Sequence, residues 1–150
     1  MDEERRDTAA ELCCNLDDMT GEELAFAAEE LLAAGALDVW TAPIIMKKGR
    51  PAVLLTCLCR EEEEERFAAL LFRHTTTLGV RSTLCRRWLL RREETTDETP
   101  CGPVRVKRAE GYGVRREKAE YEDLAAAARR EQMPLREVRR AAELPSKSTK

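Results

Sequence analysis

The chain is poor in the residues from which dedicated metal and nucleic-acid sites are usually built. Among its 150 residues there is one histidine, and aromatic residues amount to 5%. The six cysteines (Cys13, Cys14, Cys57, Cys59, Cys85 and Cys101) contain no C-x-x-C spacing, and His74 alone cannot complete a Cys-His set, so a structural zinc is disfavoured. There is no apolar run of roughly 18 residues, and the start of the chain is acidic rather than basic and then greasy. These absences predict neither a membrane span nor an export signal, and point to a cytoplasmic protein with reduced thiols. A net charge of −3 gives no general attraction for a phosphate backbone, which argues against a nucleic-acid partner.

What is present is a globular chain, 43% hydrophobic and 37% charged, long enough to bury a core without staples. Its charge is unevenly spread: residues 1–46 carry 12 acidic and 2 basic side chains, whereas residues 79–118 carry 11 basic and 6 acidic. Folded together, the two stretches would set an acidic segment against a basic one; each equally suits a solvated face.

Hydrophobic periodicity supplies the elements. Leu12 to Leu16 is a short apolar run that reads as a buried strand. Thr20 with Glu23 forms a capping box for a helix whose apolar face is Leu24, Ala27, Ala28, Leu31 and Leu32, with Gly35 as its stop. Val39 to Met46 and Ala52 to Cys59 form a hairpin across the turn Lys47-Lys48-Gly49-Arg50-Pro51. Glu61 to Glu65 opens a second helix with the stripe Phe67, Leu70, Leu71 and His74. A long strand then runs from Val80 to Leu90, with a bulge expected where alternation slips at Arg86-Arg87. The order is β-α-β-β-α-β, a ferredoxin-like α+β pattern with both helices on one face of an antiparallel sheet. A hairpin from Arg91 to Val106, a turn at Gly111 and Gly113, and helices around Tyr121 to Ala128 and Leu135 to Ala142 follow. The resulting division is a flexible N-terminus (1–10), a ferredoxin-like core that would bind nucleotide (11–92), a hairpin and helical extension of the same domain (93–143) and a flexible tail (144–150).

Several residues suit chemistry. Asp17 and Asp18 stand between a strand and a capped helix; two adjacent carboxylates hold Mg²⁺ or Mn²⁺ through oxygen, but acids at a helix entry also cap it, and spacing alone favours capping. Lys47, Lys48 and Arg50 share a glycine-containing tip that suits a polyanion or plain solvation. Thr75, Thr76, Thr77 and Arg81 bracket a loop offering hydroxyls, free amides and a guanidinium, without Walker-loop spacing. Arg105 and Lys107 add charge to an outer strand face. Cys57 and Cys59 look like core; Cys13 and Cys14 point to opposite faces, so at most one is core and the other could react or serve as a soft nickel ligand, but for all six cysteines packing outweighs chemistry.

In family order, Asn15-Leu-Asp-Asp-Met-Thr-Gly-Glu, Leu31-Leu-Ala-Ala-Gly-Ala-Leu-Asp-Val-Trp-Thr-Ala-Pro-Ile, Met46-Lys-Lys-Gly-Arg-Pro, Thr75-Thr-Thr-Leu-Gly-Val-Arg and Glu120-Tyr-Glu-Asp resemble the C-terminal domain of the LarC family. That family inserts nickel into the pyridinium bisthiocarboxylate mononucleotide, giving the nickel-pincer cofactor of lactate racemase. The resemblance covers roughly residues 11–140. It implies a CTP-dependent nickel chelatase or cyclometallase (a lyase) that cleaves CTP to CMP. It also implies Mn²⁺ or Mg²⁺ at Asp17 and Asp18, Ni²⁺ as substrate metal, and CTP on Lys47, Lys48, Arg50, Thr75, Thr76, Thr77, Arg81 and Lys107. No catalytic residue is assigned. The implied partners are the mononucleotide substrate, the family's N-terminal domain, which this chain does not contain, and further copies in a trimer or hexamer. The alternative is a non-catalytic oligomerisation or small-molecule regulatory module of the same fold. The chain departs from the family pattern at His74, where Glu is usual, at Cys13-Cys14 in place of Glu-Thr, and at Ala119 in place of Pro.

Overall fold

Residues 5–143 are described in a computed structural model, with side chains from residue 6; positions 1–4 and the expected tail at 144–150 lie outside them. The chain divides into two compact units, one of residues 6–87 and one beginning at Trp88.

The first unit contains β1 (Arg5–Leu16), α1 (Gly21–Ala33), β2 (Asp38–Met46), β3 (Arg50–Arg60), α2 (Glu64–His74) and β4 (Arg81–Leu89), whose last two residues belong to the second unit. The sheet order is β2-β3-β1-β4, and β3 runs antiparallel to both β1 and β2. Arg81 reaches Asn15 at one end of β1 and Arg87 reaches Asp7 at the other, so β4 opposes β1 as well. The ferredoxin-like α+β arrangement expected from element order is the one present.

Alternation decides which side chains meet the helices. Ala10, Leu12, Cys14 and Leu16 of β1 and Leu55, Cys57 and Cys59 of β3 pack with Leu24 and Leu31 of α1 and Phe67 and Leu71 of α2. Burial pushes the Cys57 thiol up to about 12 and Cys59 up to about 11, so both stay protonated and act as small apolar fillers. The α1 capping box is complete: the Glu23 amide donates to Thr20 Oγ1 at 3.2 Å, and the Thr20 amide donates to Glu23 Oε2 at 2.7 Å. Gly35 closes α1 in the left-handed region (φ 98°).

Some sequence expectations need correcting. The N-terminus is not loose from residue 6: Ala9 and Ala10 are fully buried in β1, pairing with Arg60 and Cys59. The short side chains gave no hydrophobic run there, yet their size is what lets the strand pack closely. Leu32 is 49% exposed, so the α1 stripe narrows to Leu24, Ala27 and Leu31. No slip interrupts the end of β4, where Cys85, Arg87 and Leu89 are half-buried in strict alternation. Arg87 is tolerated at a half-buried position because its guanidinium is satisfied by a two-point pair with Asp7 (2.9 and 2.7 Å), and a charged residue on that register mimics a bulge in sequence. The strand ends at Leu89, and a separate one starts at Arg91.

The second unit is more than an extension. β5 (Arg91–Thr99), β6 (Gly102–Gly111) and β7 (Val114–Ala119) form an antiparallel sheet in that order, followed by α3 (Tyr121–Glu131) and α4 (Leu135–Glu143). Cys101, Val104, Leu124, Ala127 and Val138 make a core of its own. β7 escapes sequence reading because Val114-Arg-Arg-Glu-Lys-Ala has one β-branched residue; it is recruited by the Tyr112-Gly113 turn, in which both residues have positive φ (50° and 74°), the geometry of a tight hairpin. Asp123 ties α3 to β6: its Oδ2 accepts from the Arg105 amide at 2.8 Å while the guanidinium adds two bonds. The Arg105 hydrogen bonds hold the Asp123 carboxyl down at about 2.

Phe67 has no exposed surface, and Phe67→Ala is expected to destabilise the first unit by about 3–5 kcal/mol, read by urea unfolding. A carboxyl held below its unfolded value stabilises the fold above that value and loses its contribution as pH falls towards about 2. Asp123→Asn should therefore lower stability at neutral pH and flatten the loss between about pH 4 and 2, measured by chemical denaturation across that window.

Candidate functional site

In an antiparallel sheet of this order, the link after β1, the turn between β2 and β3, and the loop before β4 all emerge at the same end. The three polar segments singled out in the sequence are those three connections. Leu16 is the last residue of β1 and pairs with Val53, which sends Asp17 and Asp18 off the sheet beside the start of β3. Arg50, the first residue of β3, donates from Nη1 to Asp17 Oδ2 at 3.3 Å. Thr76 Oγ1 donates to Asp18 Oδ1 in a short contact. Arg81, the first residue of β4, donates from Nη2 to the Asn15 amide oxygen at 2.9 Å. Asp17, Asp18, Arg50, Thr76 and Arg81 thus share one sheet end, with Asn15 as a member that sequence reasoning left out.

The threonine loop is built by its own hydroxyls. Thr75 Oγ1 donates to the Leu71 carbonyl at 2.7 Å, ending α2, and accepts from the Thr77 amide at 3.3 Å. Thr77 Oγ1 donates to the Gly79 carbonyl at 2.8 Å. Burial raises the pKa of the Cys14 thiol, and the neighbouring Thr77 and Thr75 hydroxyls and the Arg81 charge only partly oppose the rise. Cys14 is therefore the core member of the Cys13-Cys14 pair, while Cys13 is half-buried on the other face of β1 opposite Thr56.

Lys47 and Lys48 occupy the exposed β2-β3 turn, a single 3-10 turn from Lys47 to Gly49. Lys48 is held in the left-handed region (φ 61°, ψ 21°), a conformation that costs a residue with a Cβ about 1–2 kcal/mol. Neither ammonium has a carboxylate partner among the described residues, in contrast to Arg50. Lys107 lies in the second unit, on β6, where its Nζ pairs with Glu120 Oε1 at 2.6 Å.

Among the described residues no group of three or more His, Cys, Asp or Glu side chains is placed to hold a metal ion. Asp17 and Asp18 provide two hard oxygen donors turned to different partners. That set suits Mg²⁺ or Mn²⁺, which retain waters and complete their shell with phosphate oxygens, better than a metal that needs a full protein cage. The protonated thiols of Cys14, Cys57 and Cys59 are poor ligands for a soft metal.

Beside the cluster is a cavity of about 480 Å³ lined by Met19, Glu22, Glu23, Phe26, Arg73, His74, Thr75 and Thr76. The Phe26 and His74 rings meet edge to face, centroids 6.2 Å apart and planes at 61°. Phe26 was missed because it falls off the buried stripe of α1; its 58% exposure next to a hollow is visible only in the fold.

Comparison with known proteins agrees with this architecture. The family described as nickel insertion protein matches residues 1–139. A pyridinium-3,5-bisthiocarboxylic acid mononucleotide nickel insertion protein of Akkermansia muciniphila is 44% identical over 126 residues, covering 83% of this chain and 31% of that protein. A putative nickel insertion protein of Enterococcus faecalis is 39% identical over 137 residues, covering 91% of this chain and 42% of its own length. The chain thus spans about a third of the first relative and less than half of the second. Among solved structures, LarC2 in its apo form superposes with a TM-score of 0.85 at 39% identity, covering 92% of this chain and 96% of that one. It is described as the C-terminal domain of a cyclometallase involved in the synthesis of the NPN cofactor of lactate racemase. A protein from Methanopyrus kandleri AV19 superposes at 0.64 with 25% identity, covering 90% of this chain and 86% of its own. The chain belongs to the nickel insertion protein family, as a C-terminal domain of the LarC type.

Proposed function

We propose that this chain is the CTP-binding part of a nickel-inserting cyclometallase that takes part in making the nickel-pincer cofactor of lactate racemase. The observation that carries the reading is the convergence of Asp17, Asp18, Arg50, Thr76 and Arg81 at one end of the sheet. A nucleoside triphosphate carries about four negative charges, and a site for it needs cations, hydroxyls and backbone donors close together. Lys47, Lys48, Arg50 and Arg81 supply the cations, and Thr75, Thr76 and Thr77 the hydroxyls. Asp17 and Asp18 are the oxygen ligands for Mn²⁺ or Mg²⁺, and the ion, when bound, adds positive charge against the phosphate oxygens.

Hydrolysis of CTP to CMP would form a bond from a water oxygen to the α-phosphorus as the bond from that phosphorus to its bridging oxygen breaks, the water protons passing to solvent and negative charge developing on the departing pyrophosphate. The lysines and arginines of the cluster stabilise that charge as it develops. Nickel and the pyridinium bisthiocarboxylate mononucleotide are substrates of the whole enzyme, to which the family's N-terminal domain contributes. The reading places the protein in the cytoplasm, in a symmetric homo-oligomer. No helix among the described residues is long and apolar enough to cross a membrane.

Isothermal titration of the chain with CTP and Mn²⁺ tests the reading. Lys47→Ala, Arg81→Ala and Asp18→Asn are each expected to weaken binding about tenfold or more, roughly 1.4 kcal/mol or more. Affinity equal to that of the parent chain in all three variants, or no CTP binding by the parent chain, overturns it. Lys48→Gly separates charge from conformation: glycine accepts the left-handed geometry, so the melting temperature should hold while affinity falls.

A further inference from the structure

The second unit holds a cleft to which the nucleotide reading gives no role. We propose that it binds a pyridinium ring carrying acidic substituents, the chemical class of the mononucleotide substrate. The inference rests on the proposed function for that substrate, and it shares no residue with the site proposed for the triphosphate. The cleft has a volume of about 1110 Å³, ample for a mononucleotide where small-ligand sites take roughly 300–1,000 Å³. Its position follows from how the helices cover the sheet. Val104 of β6 is closed over by Leu124, Ala127 and Val138, and the cleft opens further along the same face, over Val106 and Arg108.

The floor is a charge network with acceptor capacity to spare. Arg108 donates from Nη1 to Asp97 Oδ1 at 3.1 Å and from Nε to Glu117 Oε1 at 3.2 Å. Arg115 donates to that same Oε1 at 2.7 Å, so Glu117 Oε2 has no donor among the described residues. Around this floor stand Tyr121 of α3 and Arg139 and Glu143 of α4. None of these three side chains has a hydrogen bond or an ion pair among the described residues, although Arg139 and Glu143 are one helical turn apart. Tyr121 is 53% exposed, left free between the Lys107-Glu120 and Arg105-Asp123 ties.

The balance of charge selects the ligand. Asp97, Glu117 and Glu143 set three carboxylates against the guanidiniums of Arg108 and Arg139. A plain anion meets the surplus carboxylate, and a plain cation leaves Arg139 unmatched. One flat ring carrying both signs satisfies both. A pyridinium is a permanent cation, drawn to the face of Tyr121 and to the free oxygen of Glu117. An acidic group on the ring takes the two-point hydrogen bonds that a guanidinium offers, here from Arg139. Glu98 and Lys118 also border the cleft, but alternation assigns them to the other face of the sheet, and their charges offset. CTP, with an uncharged base and a polyanionic tail, lacks this pattern, so the two sites differ in chemistry.

The test is an NMR titration of the full chain with three small compounds. N-methylpyridinium-3,5-dicarboxylate carries both signs, isophthalate keeps the acids without the cation, and N-methylpyridinium keeps the cation without the acids. CTP with Mn²⁺ is titrated in parallel by calorimetry. The first compound should bind about tenfold or more tightly than either of the others. Arg139→Ala should remove its advantage over N-methylpyridinium, Glu143→Gln should reduce its advantage over isophthalate, and Tyr121→Leu should weaken it. All three variants should keep the parent's melting temperature and its affinity for CTP. Equal binding of the three compounds, or parent-like binding in all three variants, overturns the assignment, as does a loss of CTP affinity matching the loss of the pyridinium compound. If CTP binds and the pyridinium compound does not, the cleft is wrong and the nucleotide reading stands. If the pyridinium compound binds and CTP does not, the nucleotide reading fails and the cleft stands.

Discussion

The antiparallel pairing of β1 between β3 and β4 is the constraint on which the first unit depends. It fixes, through a period of two, that Leu12, Cys14 and Leu16 meet the helices, and it fixes direction, so that the end of β1 lies against the starts of β3 and β4. A one-residue slip would turn the entire apolar set of β1 away from α1 and α2. It would also carry Asn15 and Asp17 away from Arg81 and Arg50. The hydrophobic register and the polar cluster are therefore one specification, and the buried face, with Leu55, Phe67 and Leu71 fully enclosed, is what holds the exposed end in place.

That coupling explains which parts of the fold were legible. The α1 capping box, the Gly35 stop and the β2-β3 hairpin are local devices, and local sequence determines them. Non-local pairing determined the rest. Nothing near Ala9 marks a buried strand, because its burial is decided by Arg60 of β3 and its neighbours across the sheet. Arg87 looked like a break in alternation because its partner, Asp7, is 80 residues away. β7 was invisible because a polar strand needs β6 to define it. Likewise for the site, the residue types were readable as three separate weak motifs. Their meeting required the topology, while Asn15 and Phe26 carry no signal of their own until Arg81 and His74 are set beside them.

In the second unit the Glu120-Tyr-Glu-Asp segment has a structural explanation that needs no ligand. Glu120 and Asp123 bracket the first turn of α3 and take Lys107 and Arg105 from alternate positions of β6, on its outward face. Acids suit a helix N-terminus, and here they also orient the helix along the strand. Arg108, one position beyond Lys107, reaches instead to Asp97 of β5 and Glu117 of β7, crosslinking all three strands. Many of the basic residues that made the later sequence look like an anion site are thus neutralised within their own sheet. Lys107 differs from Arg105 in being held by a single contact where Arg105 makes three hydrogen bonds to Asp123, which makes its charge the easier of the two to release.

The same distinction between held and available charge applies at the sheet end. The Asp17-Arg50 pair is exposed, long at 3.3 Å and made by a single contact, a geometry worth about 0–1 kcal/mol. On the proposed reading, a divalent ion arriving with a triphosphate offers Asp17 a stronger partner than Arg50, and the phosphate oxygens offer Arg50 a stronger partner than Asp17. The exchange gives up one weak pair and creates two stronger ones, with both side chains already beside each other and ordered by the start of β3. Before the ligand arrives, the pairing keeps like charges among Arg50, Lys47 and Lys48 from repelling unopposed. On that reading a net charge of −3 is compatible with a polyanion site, because Asp17 and Asp18, which contribute to it, would balance the cations of the empty site and turn to the metal in the filled one.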